Sequence, residues 1–207
     1  MNVKQRQAER SEATRKALVA AARELFAAKG QAQTSTEEIV RRAGVTRGAL
    51  YHHFRDKADL FAAVFEDLSK EIFRRVGEAA SGAGPVGTWE HFAVGCQAFL
   101  DTCLDPEVRQ IVLLDAPAAL GWERWHELDT KYGFTIVKKG LQAGMDAGLI
   151  EPHPVDPLAH MLIGALHEAA LAMARADDPE AARAETGTGI EQFLNGLRAR
   201  GSEEGAG

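Results

Sequence analysis

The spacing of apolar residues predicts helices along almost the whole chain. Apolar side chains recur three and four positions apart, and the sequence lacks alternating β-branched runs of strand length. The first such segment spans residues 12–29, with Ser11 as its candidate N-cap and Gly30 as its C-terminal stop. The pattern therefore predicts an all-α fold.

Two short helices are predicted after this segment, separated by a tight turn. Ser35 and Glu38 have the spacing of a capping box, so a second helix should begin at Thr36. Gly44 supplies the left-handed residue that ends this helix, and Thr46 is placed to cap a third helix that continues for about two turns. Two short helices joined in this way form a helix-turn-helix.

Longer helices are predicted in the remainder of the chain. A fourth helix should begin at Lys57 and end before residues 81–87, where three glycines and a proline predict a loop. Further helices are expected at 88–104, 106–115, 121–147, 155–177 and 179–199. Residues 201–207 have the composition of a disordered tail.

Charge is distributed unevenly between the two parts of the chain. Residues 1–57 contain 12 Lys and Arg against 6 Asp and Glu, whereas residues 58–207 contain 12 against 24. A basic segment attached to an acidic one favours contact between the basic segment and a polyanion, and it disfavours contact through the rest of the surface. The overall net charge of −6 hides this division.

The helix-turn-helix at residues 34–54 has the chemistry of a DNA-reading element. Its second helix leaves donors and small residues exposed instead of the alternating Glu and Lys of an ordinary solvated helix. An Arg such as Arg47 can bond guanine in a bidentate way, and small residues at 48 and 49 let the backbone approach base edges. The exposed set is Thr46, Arg47, Gly48, Ala49, Tyr51, His52 and His53.

About 50 residues of this region resemble the N-terminal domain of TetR-type repressors. The resemblance is carried by Leu25 to Gly30, Thr34, Ser35, Ile39, Ala43 to Phe54, Lys57, Leu60, Phe61 and Val64. It implies that Thr46, Arg47, Gly48 and Ala49 face bases or the groove edge, and that Ser35, Thr36, Tyr51, His52, His53 and Lys57 contact phosphates. One position departs from the family pattern, because Gln31 stands where an aromatic residue is usual.

The resemblance also implies an organisation and a function. Residues 1–57 would form the three-helix DNA-binding domain, and a long helix would join it to a helical domain for effector binding and dimerisation at residues 58–200. The expected protein is a cytoplasmic, homodimeric repressor that binds a pseudo-palindromic, double-stranded operator and is released by a small molecule. The identity of that molecule, the operator sequence and the direction of the ligand effect stay open.

A ligand pocket is predicted from the large apolar and amphipathic side chains of the second domain. Apolar walls with a few polar anchors are typical of such pockets, and they favour a small lipophilic or aromatic effector. The acidic composition also admits a cationic one. The candidate lining residues are Phe92, Cys96, Phe99, Gln110, Leu113, Trp122, Trp125, His126 and Asp129. The dimer is expected to form from the last two long helices, which carry small and apolar residues.

Other classes of function are disfavoured by the sequence. Asp115, His126, Asp129 and the two cysteines supply reactive side chains, but no nucleophile elbow, metal-binding helix or phosphate loop organises them. We therefore expect no catalytic residues, no metal and no cofactor. A non-specific nucleoid protein is disfavoured by the acidic second part, and no apolar stretch has the uninterrupted length of a membrane span.

Overall fold

The computed structural model describes residues 3–85 and 87–199, and these contain helices and no β-strand. The α-helices are α1 (Val3–Gln33), α2 (Thr36–Ala43), α3 (Arg47–His53), α4 (Lys57–Ala83), α5 (Trp89–Thr102), α6 (Pro106–Val108), α7 (Ala116–Leu120), α8 (Trp122–Asp129), α9 (Thr135–Asp146), α10 (Val155–Arg175) and α11 (Pro179–Asn195). Two π-helical segments, Arg109–Asp115 and Thr130–Phe134, interrupt this series. The all-α prediction is confirmed. The predicted tail at 201–207 lies outside the described residues.

The predicted start of the first helix was wrong. α1 begins at Val3, nine residues before the predicted position, so Ser11 lies inside the helix and is not its N-cap. The preceding residues are mostly Lys, Gln, Arg, Ala and Glu, which all favour helix, so nothing in them ends it. Gly30 does interrupt the helical geometry, with φ of 81°, a left-handed value that side chains resist.

The end of α4 also differs from the prediction. The helix continues to Ala83, into the segment that composition predicted to be a loop. Gly82 is exposed there, and the cost of glycine in a helix is only about 1 kcal/mol. Pro85 sets the limit, because its ring disfavours helical geometry at Gly84 and it has no N–H to donate to the preceding turn.

The helices form two compact units, and the boundary between them falls within α4 after Leu68. Unit 1 contains the described residues up to 68 together with residues 106–125. Unit 2 contains residues 69–105 and those from 126 onward. The second segment of unit 1 was predicted to belong with the effector domain, and the functional division at residue 57 stays a prediction.

Unit 1 has a core shared by its first four helices. Leu18, Phe26, Ile39, Leu50 and Phe61 are fully buried, and the rings of Phe26 and Phe61 lie 5.3 Å apart between centroids. Complete burial of each of these side chains contributes about 1.5–3 kcal/mol to folding. This packing fixes α2 and α3 against α1, so that the opposite face of α3 is left in solvent.

Residues 106–125 join unit 1 through both apolar and polar contacts. Val108 and Ile111 are completely buried. The guanidinium of Arg23 on α1 bonds both carboxylate oxygens of Glu107, with Nε to Oε1 at 2.7 Å. A bidentate Arg–carboxylate pair is among the stronger polar contacts in proteins, so this segment is anchored to α1 at its beginning.

Unit 2 is built around α10, which carries seven buried residues, among them Leu158, Leu162, Leu166 and Ala170. α10 packs with α9, α11 and α5. By length and mean hydropathy, it is the one helix in the described part of the chain that meets the criteria for a membrane span. A core helix of a globular unit meets the same criteria, so this feature does not by itself indicate a membrane.

Candidate nucleic-acid interface and ligand cavity

The start of α2 has the predicted capping box. The Ser35 hydroxyl accepts a hydrogen bond from the backbone N–H of Glu38 at 3.3 Å, and the Glu38 carboxylate accepts from the backbone N–H of Ser35 at 3.0 Å. The amino group of Lys29 donates to the same carboxylate at 2.6 Å. This bond, followed by those from Ser35, lowers the pKa of Glu38 to about 2, so the cap is ionised at neutral pH.

The turn and the start of α3 also match the prediction. Gly44 adopts the left-handed conformation with φ of 68°, and its N–H bonds the last carbonyls of α2. The Thr46 hydroxyl accepts from the backbone N–H of Ala49 at 3.2 Å. Both ends of the turn are therefore held by local hydrogen bonds, which fixes the angle between the two helices.

α3 has one buried side and one exposed side. Leu50 is fully buried and Phe54 is 4 % exposed, which pins the helix to unit 1. The predicted base-facing and phosphate-facing residues Thr46, Arg47, Gly48, Tyr51 and His52 are exposed, while Ala49 and His53 are half-buried. A Cβ at Gly48 would meet no atom nearer than Thr46 Oγ1 at 3.9 Å, so the protein's own packing does not require glycine there.

Arg47 is held in place although its side chain is 65 % exposed. Its guanidinium lies 3.1 Å from Oε1 of Glu37 on α2 and 5.5 Å from the centre of the Tyr51 ring. Both contacts are on the surface, where an ion pair contributes at most about 1 kcal/mol. These weak contacts orient the Arg47 side chain, and its N–H groups can exchange the Glu37 carboxylate for another acceptor.

Lys57 connects the start of α4 to the end of α1. Its amino group donates to the backbone carbonyl oxygens of Gln31 at 2.8 Å and Thr34 at 3.0 Å. An ammonium group has three donors, so one remains for a phosphate. Ser35 and Thr36 follow directly after Thr34. The Lys57–Thr34 contact therefore places Lys57 near Ser35 and Thr36, and all three are predicted phosphate-binding residues.

Unit 2 contains a partly open cavity of about 260 Å³. It lies among α4, α5, α9, α10 and the π-helical segment Thr130–Phe134. The walls are mainly aromatic and aliphatic, with Phe73, Phe92, Phe99, Ile163 and Leu166 among them. An apolar cavity of this size with a few polar groups at its edge is suited to a small organic ligand.

The predicted pocket residues are divided between three locations. Phe92, Cys96 and Phe99 line the cavity. His126 and Asp129 belong to the same unit but do not line it. Asp129 instead contacts His167, which does line the cavity, with its Oδ1 3.2 Å from Nε2 of His167.

The other four predicted pocket residues lie in unit 1. The Gln110 amide donates to Asp115 at 3.1 Å, and Leu113 is 6 % exposed. The rings of Trp122 and Trp125 lie 5.3 Å apart, and Trp122 is 70 % exposed. Leu113, Trp122 and Trp125 were predicted from their size and Gln110 as a polar anchor, and neither property distinguishes a cavity wall from an ordinary core or surface.

Sequence reasoning missed most of the cavity wall. The missed residues include Phe73, Val76, Gly77, Ala80, His91, Gly133, Ile136, Val137, Lys139, Gly140, Ile163, Leu166 and His167. Glycine spacing was the available signal, because Gly133 and Gly140 are seven apart on one helical face. A Cβ at Gly140 would lie 2.6 Å from Cδ2 of Phe92, so any larger residue there would displace the Phe92 ring.

The two cysteines are buried, and their burial raises the pKa of each thiol to about 12. Such thiols are weak nucleophiles at neutral pH. Among residues 3–85 and 87–199, no three His, Cys, Asp or Glu side chains are grouped as metal ligands would be. That the protein needs neither metal nor cofactor stays a prediction.

Two family models match the chain over most of its length. Residues 18–64 match the model described as bacterial regulatory proteins of the tetR family. Residues 89–197 match the model described as the tetracyclin repressor-like C-terminal domain. The first match contains α2 and α3, and the second contains the cavity walls contributed by α5, α9 and α10.

Known proteins of the same kind are similar to the chain. It is 33 % identical over 105 residues to the HTH-type transcriptional regulator TtgR of Pseudomonas putida, covering 50 % of this chain and 49 % of that protein. It is 27 % identical over 164 residues to the transposon Tn10 TetC protein of Escherichia coli, covering 79 % and 82 %. The alignment thus spans about half the length of TtgR.

A solved structure extends this similarity to the fold. The crystal structure of a TetR-family transcriptional regulator from Pectobacterium atrosepticum has a TM-score of 0.82 and 34 % identity, and it covers 93 % of this chain and 97 % of that one. The relatives are regulators, and the chain is accordingly a regulator and not an enzyme. It belongs to the TetR family of transcriptional regulators.

Proposed function

We propose that this protein is a repressor that binds an operator through α3 and is released when a small lipophilic molecule occupies the cavity of unit 2. The observation that carries the proposal is the exposed face of α3, which presents Arg47, Gly48 and Tyr51 on a helix pinned by Leu50. A recognition helix enters the major groove with such a face, while neighbouring residues hold phosphates.

Phosphate contacts are assigned to the residues that surround α3. Tyr51, His52 and His53 lie in its last turn, and Lys57 bonds the carbonyl of Thr34, which directly precedes Ser35 and Thr36. These groups carry no sequence information, and they position the recognition helix. Base reading is assigned to Thr46, Arg47, Gly48 and Ala49. As a DNA-bound regulator, the protein is assigned to the cytoplasm.

A homodimer is proposed because a pseudo-palindromic operator requires two-fold symmetry. α10 has an exposed apolar side chain in Met161, which is 59 % exposed, and a Cβ at Gly164 would meet no atom within 4 Å. On α11, Phe193 is 39 % exposed and Gly189 is similarly open. Small and apolar exposed residues support close packing between the same helices of two protomers.

Operator binding is tested with the DNA upstream of the gene, by fluorescence anisotropy against a scrambled duplex of equal composition. The parent is expected to prefer its own site, and Arg47→Ala is expected to lose about 1–3 kcal/mol at one base pair in each half-site. Arg74→Ala, which removes an exposed arginine from α4 in unit 2, is the control and should bind as the parent does.

Two results contradict the proposal. Equal affinity of the parent for both duplexes indicates non-specific binding. Loss of affinity in Arg47→Ala with unchanged base preference removes α3 from the reading role. Sedimentation of the parent at micromolar concentration tests the dimer separately, and a monomeric mass contradicts it.

A further inference from the structure

We propose that the cavity of unit 2 selects a lipophilic anion, a carboxylate or sulfonate on a small aromatic or aliphatic body, with its acidic group held by Lys139. The proposal rests on the function proposed above, since it specifies the ligand class of the same cavity. Its apolar body would lie against Phe73, Phe92 and Phe99, which line the walls.

The charge of the cavity wall differs from that of the chain around it. Residues 58–207 contain twice as many acidic as basic residues, yet none of the Asp and Glu residues that the structure describes lines the cavity. Its ionisable lining side chains are His91, Cys96, Lys139 and His167. A cationic ligand would therefore lose its hydration without gaining a carboxylate partner, whereas an anionic ligand would gain a cation.

Lys139 is the lining cation that has no carboxylate partner among the residues the structure describes. Its neighbour Lys138 is different, because it pairs with Asp156 and does not line the cavity. Lys139 is also exposed. An acidic group bound there keeps partial contact with water while the rest of the ligand is buried, which lowers the desolvation cost of binding a charge.

The other polar lining groups already have partners within the protein. The Thr88 hydroxyl donates to the carbonyl of Pro85 at 2.9 Å and accepts from the backbone N–H of His91 at 3.2 Å. His91 Nδ1 lies 3.1 Å from the carbonyl oxygen of Gly84, and His167 contacts Asp129. The amino group of Lys139 is thus the strong donor left for a ligand.

The dimensions of the cavity limit the ligand to one or two rings or a short alkyl chain. Its volume of about 260 Å³ lies at the small end of ligand pockets. The walls approach each other closely at Gly133, because a Cβ there would lie only 2.8 Å from Cδ1 of Ile163. Gly77 on α4 leaves open space, because a Cβ there would meet nothing within 4 Å.

A matched pair of fluorescent probes tests the charge preference. Naphthalene-1-sulfonate is a lipophilic anion, and 1-methylnaphthalene has the same two rings without the sulfonate. Lys139→Gln is expected to weaken binding of the anion about 3- to 10-fold and to leave the neutral probe unchanged. Lys138→Gln removes an adjacent charge outside the cavity and should alter neither. Added salt should weaken binding of the anionic probe to the unmodified protein more than its binding to Lys139→Gln.

Gly77→Phe tests whether the probes occupy this cavity, because Gly77 lines its open edge and a Cβ there would meet nothing within 4 Å. Gly95→Leu does the same from α5, where a Cβ would lie 3.7 Å from Cβ of Ala80, an ordinary contact. Whichever variant keeps the parent's helical circular dichroism and unfolding midpoint is used. Loss of both probes places binding in the cavity.

The outcomes separate the ligand class from the proposed function. If cavity filling removes both probes but Lys139→Gln affects them equally, the anion preference is overturned and the cavity remains the effector site. If the probes bind the cavity-filling variants as tightly as the unmodified protein, both the anion preference and the cavity as effector site are overturned. If the parent binds the neutral probe and not the anion, the preference is again overturned. Operator binding by α3 is measured independently of these results.

Discussion

The backbone N–H of Gln31 donates a hydrogen bond to Oδ2 of Asp115 at 2.7 Å, although the two residues are 84 positions apart. Gln31 follows the kink at Gly30, and its carbonyl accepts from Lys57. The peptide units around Gln31 therefore connect residues 106–125 to the start of α4 within unit 1. The departure from the family pattern at this position leaves the connection intact, because it uses backbone atoms.

Replacing Asp115 should destabilise unit 1 measurably. Asp115→Ala leaves the partly buried N–H of Gln31 and the amide of Gln110 without this acceptor, so we expect a loss of about 1–3 kcal/mol. Urea unfolding followed by circular dichroism measures it. Glu123→Ala, an exposed carboxylate in the same segment, should change stability by less than about 0.5 kcal/mol. Equal effects of the two changes would contradict the role of Asp115.

Lys57→Ala should weaken binding to all DNA and flatten the salt dependence by about one unit in each half-site, because a phosphate contact is lost. The structure adds a second effect, since the same change removes the hydrogen bonds to Gln31 and Thr34. Stability should fall as well. Anisotropy titrations at several salt concentrations measure the first effect and urea unfolding the second. An unchanged salt slope with reduced stability would assign Lys57 a structural role alone.

Unit 1 should lose stability as the pH falls from about 5 to about 2. Partial burial alone would raise the pKa of Asp59, but hydrogen bonds from Arg55 and Arg124 override it and lower this pKa to about 2. Because the pKa of Asp59 is lower in the folded protein than in the unfolded chain, where it is about 4, the Asp59 charge stabilises unit 1 at pH values above about 4. That stabilisation is lost as the pH falls towards the folded-state pKa of about 2.

Asp59→Asn tests this assignment by a comparison across pH. The parent should be the more stable protein at pH 7, and the difference should shrink below pH 4 and be nearly absent at pH 2. Chemical unfolding at each pH measures it. A difference that stays constant with pH would show that the Asp59 charge is not the cause.

Cys96→Trp should remove the ligand response and preserve DNA binding. Cys96 lines the cavity and is 5 % exposed, so a larger side chain must occupy cavity space. Overpacking costs about 1–3 kcal/mol, and the unfolding midpoint reports it. With a compound that releases the parent from its operator, the midpoint of release should move to a higher concentration or vanish. An unchanged midpoint in a folded variant would place the effector site elsewhere.

The elements that sequence predicted well are those governed by local interactions. The capping box at Ser35, the left-handed residue Gly44 and the Thr46 cap each depend on hydrogen bonds between residues three or four apart. The buried and exposed sides of α3 follow from the helical period. Boundaries were predicted less well, since the first residues of α1 and the glycine near the end of α4 did not end those helices.

The sequence by itself determined the helical fold, the helix-turn-helix and the family, because a periodic pattern and short-range caps specify them. Tertiary structure alone decided which large side chains line the cavity, since its walls come from segments between Phe73 and His167. It also decided that residues 106–125 pack in unit 1 and that Asp115 receives the Gln31 N–H. Contacts between distant residues depend on how whole helices pack, and no local pattern encodes that packing.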